Sequence, residues 1–531
     1  MKIAVCQLNH LIGDIKGNSA KIIKYLKKAE AKGADIAVFP ETAITGYPCG
    51  DLWYDKSFIK EQLKAFKQIS KHTKKTACII GYIDFDKKTD FLENCSALIY
   101  KGKILGKSLK MRLAIWDIFY DNRYFVPAKK QKLVNFKGKK IGLTICADIF
   151  APDKYFTNAQ NPINYLKGAD FITHISASPY FLGRVKSSRN GRVIKSAQKL
   201  KCPVIMCNMV GANDDVIYDG GSTVFDKNGN TIAKAKSWQE DMFLVNLNRQ
   251  QKIAPYKENQ VQEIHDALVL GIKDFFAKNK LKKAVIGLSG GIDSAVVACL
   301  ASKALGKQNV YAYYLPSKYS AKLSEKLAKK LAKNLDINFE TIDIKKIHQS
   351  FSQTYGKVKS LTDQNIQART RGSLLMSFAS ELGGLVLACS NKTEVACGYS
   401  TMYGDTCGGL MPIGDLLKYR VVELAEFINT GCEIIPNGII SRAPSAELKA
   451  NQKDEDDLPK YEILDNIVQL YIEEGGKVES ISKKLKVSKK LVKDIITKID
   501  RAEFKRYQAP PILKITKKTF GPGRKMQIAR K

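Results

Sequence analysis

The sequence predicts two consecutive α/β domains, the second built on a doubly wound parallel sheet. Three observations carry this. Apolar runs of strand length recur through the first half and are interleaved with amphipathic helical patterns. Residues 249–262 (RQQKIAPYKENQVQ) are polar and aperiodic, as a linker should be. Beyond them a regular strand–helix–strand order begins. The expected division is 1–250, a linker at 251–260, and 261–531. A chain of 531 residues, 44% of them hydrophobic, is long enough to form two cores.

In the first domain the strand-length runs are Ile3–Leu8, Ile36–Phe39, Ala77–Ile83, Ala97–Tyr100, Lys140–Ile145, Phe171–Ile175, Val204–Cys207 and Phe243–Leu247. Between the first two, Asn18–Lys32 sets Ile22, Ile23, Leu26 and Ala29 on one helical face. Ser57–His72 does the same with Phe58, Leu63, Phe66 and Ile69. Such sheets need helices on one face and a second layer on the other. In the second domain the order is a helix at Val261–Lys278, a strand at Ala284–Gly287, a helix from Asp293, a strand at Val310–Leu315, a helix at Lys322–Leu335 and a strand at Asn338–Ile342. This βαβαβ order implies parallel strands, with ligands at their carboxyl ends. Near the end, Ile481–Leu485 and Leu491–Ile499 are short helices that resemble a helix-turn-helix, a pattern that more often reflects packing.

Lys and Arg total 87 against 52 acidic residues, a net charge of +35. Nucleic acid, membrane surfaces and polyanionic substrates are therefore the first partner classes to test. The excess is shared between the halves, +20 in residues 1–255 and +15 in 256–531, and 73 of the bases are Lys against 14 Arg. Base reading and bidentate phosphate clamps lean on Arg, so the charge reads as a Lys-rich surface. Twelve scattered cysteines without a CxxC pair exclude a disulfide scaffold and fit reduced thiols. No signal peptide opens the chain and no apolar run is long enough to span a membrane, so a cytoplasmic protein is expected.

Three short segments of the first half bear chemistry. Phe39-Pro40-Glu41 follows one strand, Lys110 follows another, and Cys146 ends the strand of GLTICADIF. A carboxylate, an ammonium and a thiol at strand ends make a plausible acyl-transfer site. Cys is the nucleophile, Glu takes its proton, and Lys offsets charge on the carbonyl oxygen. FPETAITGY, the stretch from Lys110 to Phe125, and GLTICADIF resemble the nitrilase (carbon–nitrogen hydrolase) superfamily over residues 1 to about 250. That resemblance implies an α-β-β-α sandwich and a triad of Glu41, Lys110 and Cys146. By position it also implies glutamine binding at Ser176, Ala177, Ser178, Tyr180 and Lys186. The chain departs from glutamine-dependent members at Ala147, where Glu is usual, at Ala114 and Ile115, where Pro and Asn are common, and at Asp121, often Glu.

In the second half Gly287-Leu-Ser-Gly-Gly-Ile-Asp-Ser294 leaves a strand and opens a helix, so backbone N–H groups can surround an anion while Asp293 holds a metal. Gly102-Lys-Ile-Leu-Gly-Lys-Ser108 is one residue short of a Walker A loop and reads as a hairpin. SGGIDS resembles the PP-loop of ATP pyrophosphatases. With NIQAR at 365–369, SNKTEVACGYSTMYGD at 390–405, PIGDLLK at 412–418, PSAEL at 444–448 and DEDDLPKY at 454–461, the chain resembles the glutamine-dependent NAD synthetase family along nearly its whole length. The resemblance implies adenylation of the nicotinate carboxylate of deamido-NAD and displacement of AMP by ammonia from glutamine. It assigns ATP to Gly287, Ser289, Gly290, Gly291, Asp293, Ser294, Lys418 and Ser445. Deamido-NAD is assigned to Asn365, Arg369, Glu394 and Asp405, and magnesium to Asp293 and Glu394. Read from its position alone, Glu394 is equally a capping carboxylate, and Asp454–Asp457 a solvated acidic turn.

The expected assembly is a homo-oligomer acting on small molecules, with Mg2+, without a tightly bound organic cofactor, and with a sheltered passage for ammonia. Nucleic acid is not expected as a partner. The competing readings are a glutamine-fed PP-loop enzyme with another acceptor, such as tRNA, and a basic scaffold with degenerate sites.

Overall fold

The computed structural model describes all residues except 87–88, 90, 151–154, 157–159, 186–188, 249–252, 254–257, 357, 451, 453–458 and 531. The chain divides into two units, Met1–Glu258 and Asn259–Lys531. Lys186 and Asp454–Asp457, together with most of the expected linker, lie outside the described residues.

The first unit runs β1 (Lys2–Gln7), α1 (Ile15–Ala31), β2 (Ile36–Val38), α2 (Lys56–Ser70), β3 (Ala77–Phe85), β4 (Leu92–Tyr100), β5 (Lys103–Leu109), β6 (Leu133–Phe136), β7 (Lys139–Ile145), α3 (Ala147–Phe150), β8 (Phe171–Ser176), α4 (Asn190–Leu200), β9 (Val204–Asn208), β10 (Val210–Asn213), β11 (Val216–Asp219), β12 (Thr223–Phe225), β13 (Thr231–Lys234) and β14 (Asp241–Asn246). Two six-stranded mixed sheets result, β14-β1-β2-β3-β4-β5 and β13-β12-β9-β8-β7-β6. Period-two burial makes the layers. Ile3, Val5, Ile36, Val38 and Ile79 meet Ile141, Leu143, Ile172 and Ile205 of the other sheet. The intervening Ala4, Cys6, Cys78 and Ile80 pack on Ile22 and Leu26 of α1 and Phe66 and Ile69 of α2. This is the expected sandwich with helices outside. The near-Walker segment is the β4–β5 hairpin, turning at Lys101 and Gly102, both at positive φ.

The second unit runs α5 (Gln260–Lys278), β15 (Ala284–Gly287), α6 (Ile292–Leu305), β16 (Val310–Tyr314), α7 (Lys322–Leu335), β17 (Asn338–Thr341), α8 (Lys345–Tyr355), α9 (Ser360–Leu382), β18 (Leu385–Val386), α10 (Lys392–Cys397), α11 (Lys418–Ile428), α12 (Asn437–Ile440), α13 (Tyr461–Val468), α14 (Val478–Leu485), α15 (Lys489–Arg501) and α16 (Glu503–Arg506). Its sheet is wholly parallel, in the order β17-β16-β15-β18. The chain builds outward from β15 to β17 and then crosses to the other side of β15. That reversal opens a crevice at the strands' carboxyl ends. Ile481 of α14 and Val492, Ile495 and Ile499 of α15 pack with Leu464 and Ile467 of α13 and Val395 of α10, so the last helices serve packing.

All twelve cysteines are free thiols. Among the described residues, no helix is long and apolar enough to cross a membrane.

Candidate active sites

In the first unit, three strand ends bring their side chains together. Glu41 lies just beyond β2, Lys110 follows β5, and Cys146 sits between β7 and α3. Glu41 and Lys110 are 0% and 1% exposed. Lys110 Nζ donates to Glu41 Oε1 at 2.8 Å and to Asp121 Oδ2 at 2.7 Å. The remaining donors to Glu41 are Asn94 Nδ2 on Oε1 at 2.9 Å and the Ala177 N–H on Oε2 at 2.9 Å. Asp121 is held in turn by the Tyr47 hydroxyl at 2.9 Å and the Ala114 N–H at 3.0 Å. Burial opposes the charge on Lys110. The Asp121 and Glu41 carboxylates outweigh it and hold the ammonium well above the ordinary lysine range.

Cys146 has φ +40°, a left-handed conformation that a strand-to-helix turn imposes. Its N–H donates to Ile175 O at 2.9 Å, while its carbonyl accepts the N–H groups of Ile149 and Phe150. Burial, and next the Glu41 charge, push its thiol well above the usual range, and Lys110 and Arg184 oppose them. Burial and Glu41 thus favour the neutral thiol over the thiolate. Asp148, two residues on, joins the pieces: Oδ1 accepts the N–H groups of Met111 and Arg112 at 2.8 and 3.0 Å, and Oδ2 accepts the Ile145 N–H at 3.0 Å. One carboxylate thus ties the Lys110 loop to the Cys146 turn. Burial pushes it up to about 6.

Ser176, Ala177 and Ser178 adjoin Glu41 through the Ala177 N–H. The Ser176 hydroxyl and the Ser178 N–H both donate to Asn208 Oδ1 at 2.8 Å. The buried Tyr180 sets its ring edge-on to Trp238 at 4.9 Å. Arg184 donates to Ser178 Oγ at 2.6 Å, and burial draws its guanidinium down to about 10. The sequence resemblance names Lys186, which lies outside the described residues, and does not name Arg184. Ala147 is fully buried in an apolar cluster with Tyr47, Ala114, Phe119, Ala177 and Tyr218.

In the second unit, a cavity of about 340 Å³ lies at the carboxyl ends of β15, β16 and β18. Its wall includes Gly287, Ser289, Gly290, Gly291, Asp293, Ser294, Glu394, Asp405, Lys418 and Ser445. Gly290 has φ +81°, and a Cβ there would lie 2.4 Å from Ser324 O. The loop therefore needs glycine both for its conformation and for its approach to α7. Ser294 Oγ donates to Gly291 O at 3.0 Å and Gly291 N–H to Ser289 Oγ at 3.2 Å, so the loop is already shaped around the amino end of α6. Asp293 pairs with Lys418 Nζ and accepts Asn391 Nδ2 at 3.0 Å. Glu394 does cap: Asn391 and Glu394 form a capping box. It also lines the cavity, so the capping role leaves it on the wall. Carboxylate oxygens of Asp293 and Glu394 on one wall suit a hard divalent cation such as magnesium.

Asn365 and Arg369 stand outside this wall. Asn365 Oδ1 accepts the Thr401 hydroxyl at 2.8 Å, and Arg369 Nε donates to Met402 O at 3.2 Å, so both brace the 401–405 segment that carries Asp405. From α9 the cavity receives Ala368, Arg371, Gly372 and Leu375 instead. Arg371 donates to Leu315 O at 2.8 Å, and burial draws it down to about 10. Arg442 pairs with Glu447 at 2.7 Å. These two cations escaped the sequence reading. Among the described residues, Asp84, Glu93 and Cys95 group closely enough for a metal, but Lys107 already bridges the two carboxylates at 3.1 and 2.9 Å.

Comparison with known proteins agrees with both halves. Residues 2–256 match the carbon–nitrogen hydrolase family and residues 264–509 the NAD synthase family. The chain is 36% identical to the glutamine-dependent NAD(+) synthetase of Aquifex aeolicus, with 100% of this chain and 99% of the relative covered. It is also 36% identical to that of Synechocystis, with 99% and 98% covered. A solved glutamine-dependent NAD+ synthetase from Acinetobacter baumannii, in complex with ADP, has a TM-score of 0.78 at 31% identity, covering 99% of this chain and 98% of that one. The chain belongs to the glutamine-dependent NAD(+) synthetase family, a carbon–nitrogen hydrolase half followed by an NAD synthase half.

Proposed function

We propose that the chain converts deamido-NAD to NAD with ATP and with ammonia taken from glutamine, the last step of NAD formation. The observation that carries this reading is the presence, in one chain, of the buried Glu41–Lys110–Cys146 set and of the PP-loop cavity with Asp293, Glu394 and Lys418 on its wall.

In the first unit, Glu41 takes the thiol proton as Cys146 sulfur attacks the glutamine amide carbon. Lys110 and a backbone N–H stabilise the oxyanion, ammonia departs with that proton, and water, activated by Glu41, hydrolyses the thioester to glutamate. Because the thiol rests protonated, the base is needed in the first step. Arg184, a half-buried cation whose charge acts on the thiol, suits the α-carboxylate of glutamine, with Ser178 hydrogen-bonded to it.

In the second unit, a nicotinate carboxylate oxygen attacks the α-phosphorus of ATP, and the bond to the β-phosphate breaks. The PP-loop N–H groups and the amino end of α6 hold the departing pyrophosphate, and Lys418 offsets its charge. Magnesium, which Asp293 and Glu394 would hold, neutralises phosphate charge when bound. Ammonia then attacks the acyl carbon and AMP leaves. A carboxylate alone cannot expel oxide, so the AMP ester makes amidation possible. Ammonium cannot attack, so ammonia must reach the ester before it is protonated.

Purified chain given deamido-NAD, ATP and Mg2+ should form NAD, AMP and pyrophosphate in equal amounts, with either glutamine or ammonium as donor. Pyrophosphate release that requires tRNA and ignores deamido-NAD would replace this reading.

A further inference from the structure

Helix α11 begins with the residue that pairs with Asp293, yet it lacks a cap of its own. Its N-cap is Leu417, which has no side-chain oxygen to accept the first N–H groups. Those groups are met from elsewhere. The Lys418 N–H donates to Thr393 Oγ1 at 3.2 Å and the Tyr419 N–H to Asp465 Oδ2 at 2.9 Å. The Thr393 hydroxyl donates to Asp465 Oδ1. Thr393 and Asp465 are 0% and 2% exposed, and neither lines the cavity.

Each neighbour of this pair belongs to the site. Thr393 precedes Glu394 in α10, whose N-cap Asn391 also donates to Asp293. One helical turn before Asp465, Tyr461 places its ring 5.4 Å from Lys418 Nζ. Asp293, Lys418 and Glu394 therefore sit on a closed circuit of hydrogen bonds whose far side is Thr393 and Asp465.

We propose that Asp465, acting through Thr393, is a positioning residue of the synthetase reaction: its carboxylate caps α11 from α13 and sets Lys418 and Glu394 at one fixed separation. It touches no substrate. Its effect falls on groups that must meet triphosphate and metal together, where small displacements are costly in rate. The inference rests on the proposed NAD-forming reaction.

The test uses the full chain and ammonium as donor, so that the first unit plays no part. Asp465→Asn keeps the shape but, with its oxygen on the Tyr419 N–H, offers Thr393 an NH2 in place of a carboxylate oxygen, so the Thr393 hydroxyl loses its acceptor. It should lower kcat about tenfold or more and raise the Mg2+ concentration that gives half-maximal rate, with the KM for deamido-NAD little changed. Thr393→Val should behave likewise, and Thr393→Ser, which restores the hydroxyl, should return the wild-type rate and Mg2+ dependence. If Asp465→Asn does not fold, the Thr393 pair decides. Unchanged kcat and Mg2+ dependence in Thr393→Val, with only a lowered melting temperature, would overturn the positioning role. Absence of NAD formation in the wild type would instead overturn the reaction itself, so the two failures are distinct.

Discussion

Gly81, on β3, lies against the segment that carries Glu41. Its N–H donates to Pro40 O at 3.2 Å and its carbonyl accepts the Ala43 N–H at 3.0 Å. A Cβ at this position would stand 2.4 Å from Thr42 N, 2.6 Å from Glu41 Cα and 2.7 Å from Pro40 O, all of them backbone atoms. Ordinary contact begins at 3.4 Å, so Gly81→Ala requires a shift of about 1 Å between β3 and the Glu41 segment. Neither side can yield alone, because the two backbone hydrogen bonds join them. The shift moves Glu41 relative to Lys110, now at 2.8 Å, and relative to the Cys146 turn. Overpacking of this kind costs roughly 1–3 kcal/mol of stability. A displacement of that size in a reacting constellation costs roughly 100-fold in rate. The assay compares NAD formation with saturating glutamine and with saturating ammonium at a temperature where the variant is folded. Gly81→Ala should lower the glutamine rate by about 100-fold and leave the ammonium rate within about twofold of wild type. An unchanged ratio in the folded variant would refute the claim that this close approach places the general base.

At the other site, Gly290→Ala sets a side chain at φ +81° and 2.4 Å from Ser324 O, so ammonium-supported NAD formation should fall by about 100-fold or more while glutamine hydrolysis persists. Equal loss of both activities would refute the division of labour between the loops. A pH experiment addresses Asp148. Its folded-state pKa of about 6 lies above the ordinary 3.8, so its contribution to stability is fully present below pH 4 and is lost as pH rises through 6. Relative to Asp148→Asn, wild-type stability should therefore decline by about 2 kcal/mol between pH 4 and 7 in chemical denaturation. A difference that grows with pH would contradict the assigned direction.

The parts of the fold legible in the sequence are those with strong periodicity. The alternation of Ile3 and Val5 with Ala4 and Cys6 carries two buried faces, and α1 and α2 show one apolar stripe each. β10 to β13 have three or four residues apiece, too few to establish a period, and were not foreseen. α9 is hidden for another reason: Arg371 and Gly372 line the cavity, Ala379 packs in the sheet's core and Leu375 borders both, so no single polar or apolar stripe marks it. At the sites, Glu41, Lys110, Cys146 and Asp293 were legible because each follows or ends a strand within a short motif. Asp148 and Asp465 act by contacts with residues remote in the chain, as Asp148 does with Met111 and Asp465 with Thr393 and Tyr419, and such pairings exist only after folding. The +35 charge proved the least informative feature. Lys110 and Lys418 are buried among carboxylates, and most other lysines lie on the surface.

In the proposed reaction one chain frees ammonia at Cys146 and uses it at the PP-loop cavity. Its most direct test is NAD formation by Cys146→Ala, supplied in turn with glutamine and with ammonium. No product above background is expected with glutamine, and a near wild-type rate with ammonium. Sustained glutamine-supported synthesis, or loss of both activities in a folded protein, would contradict it.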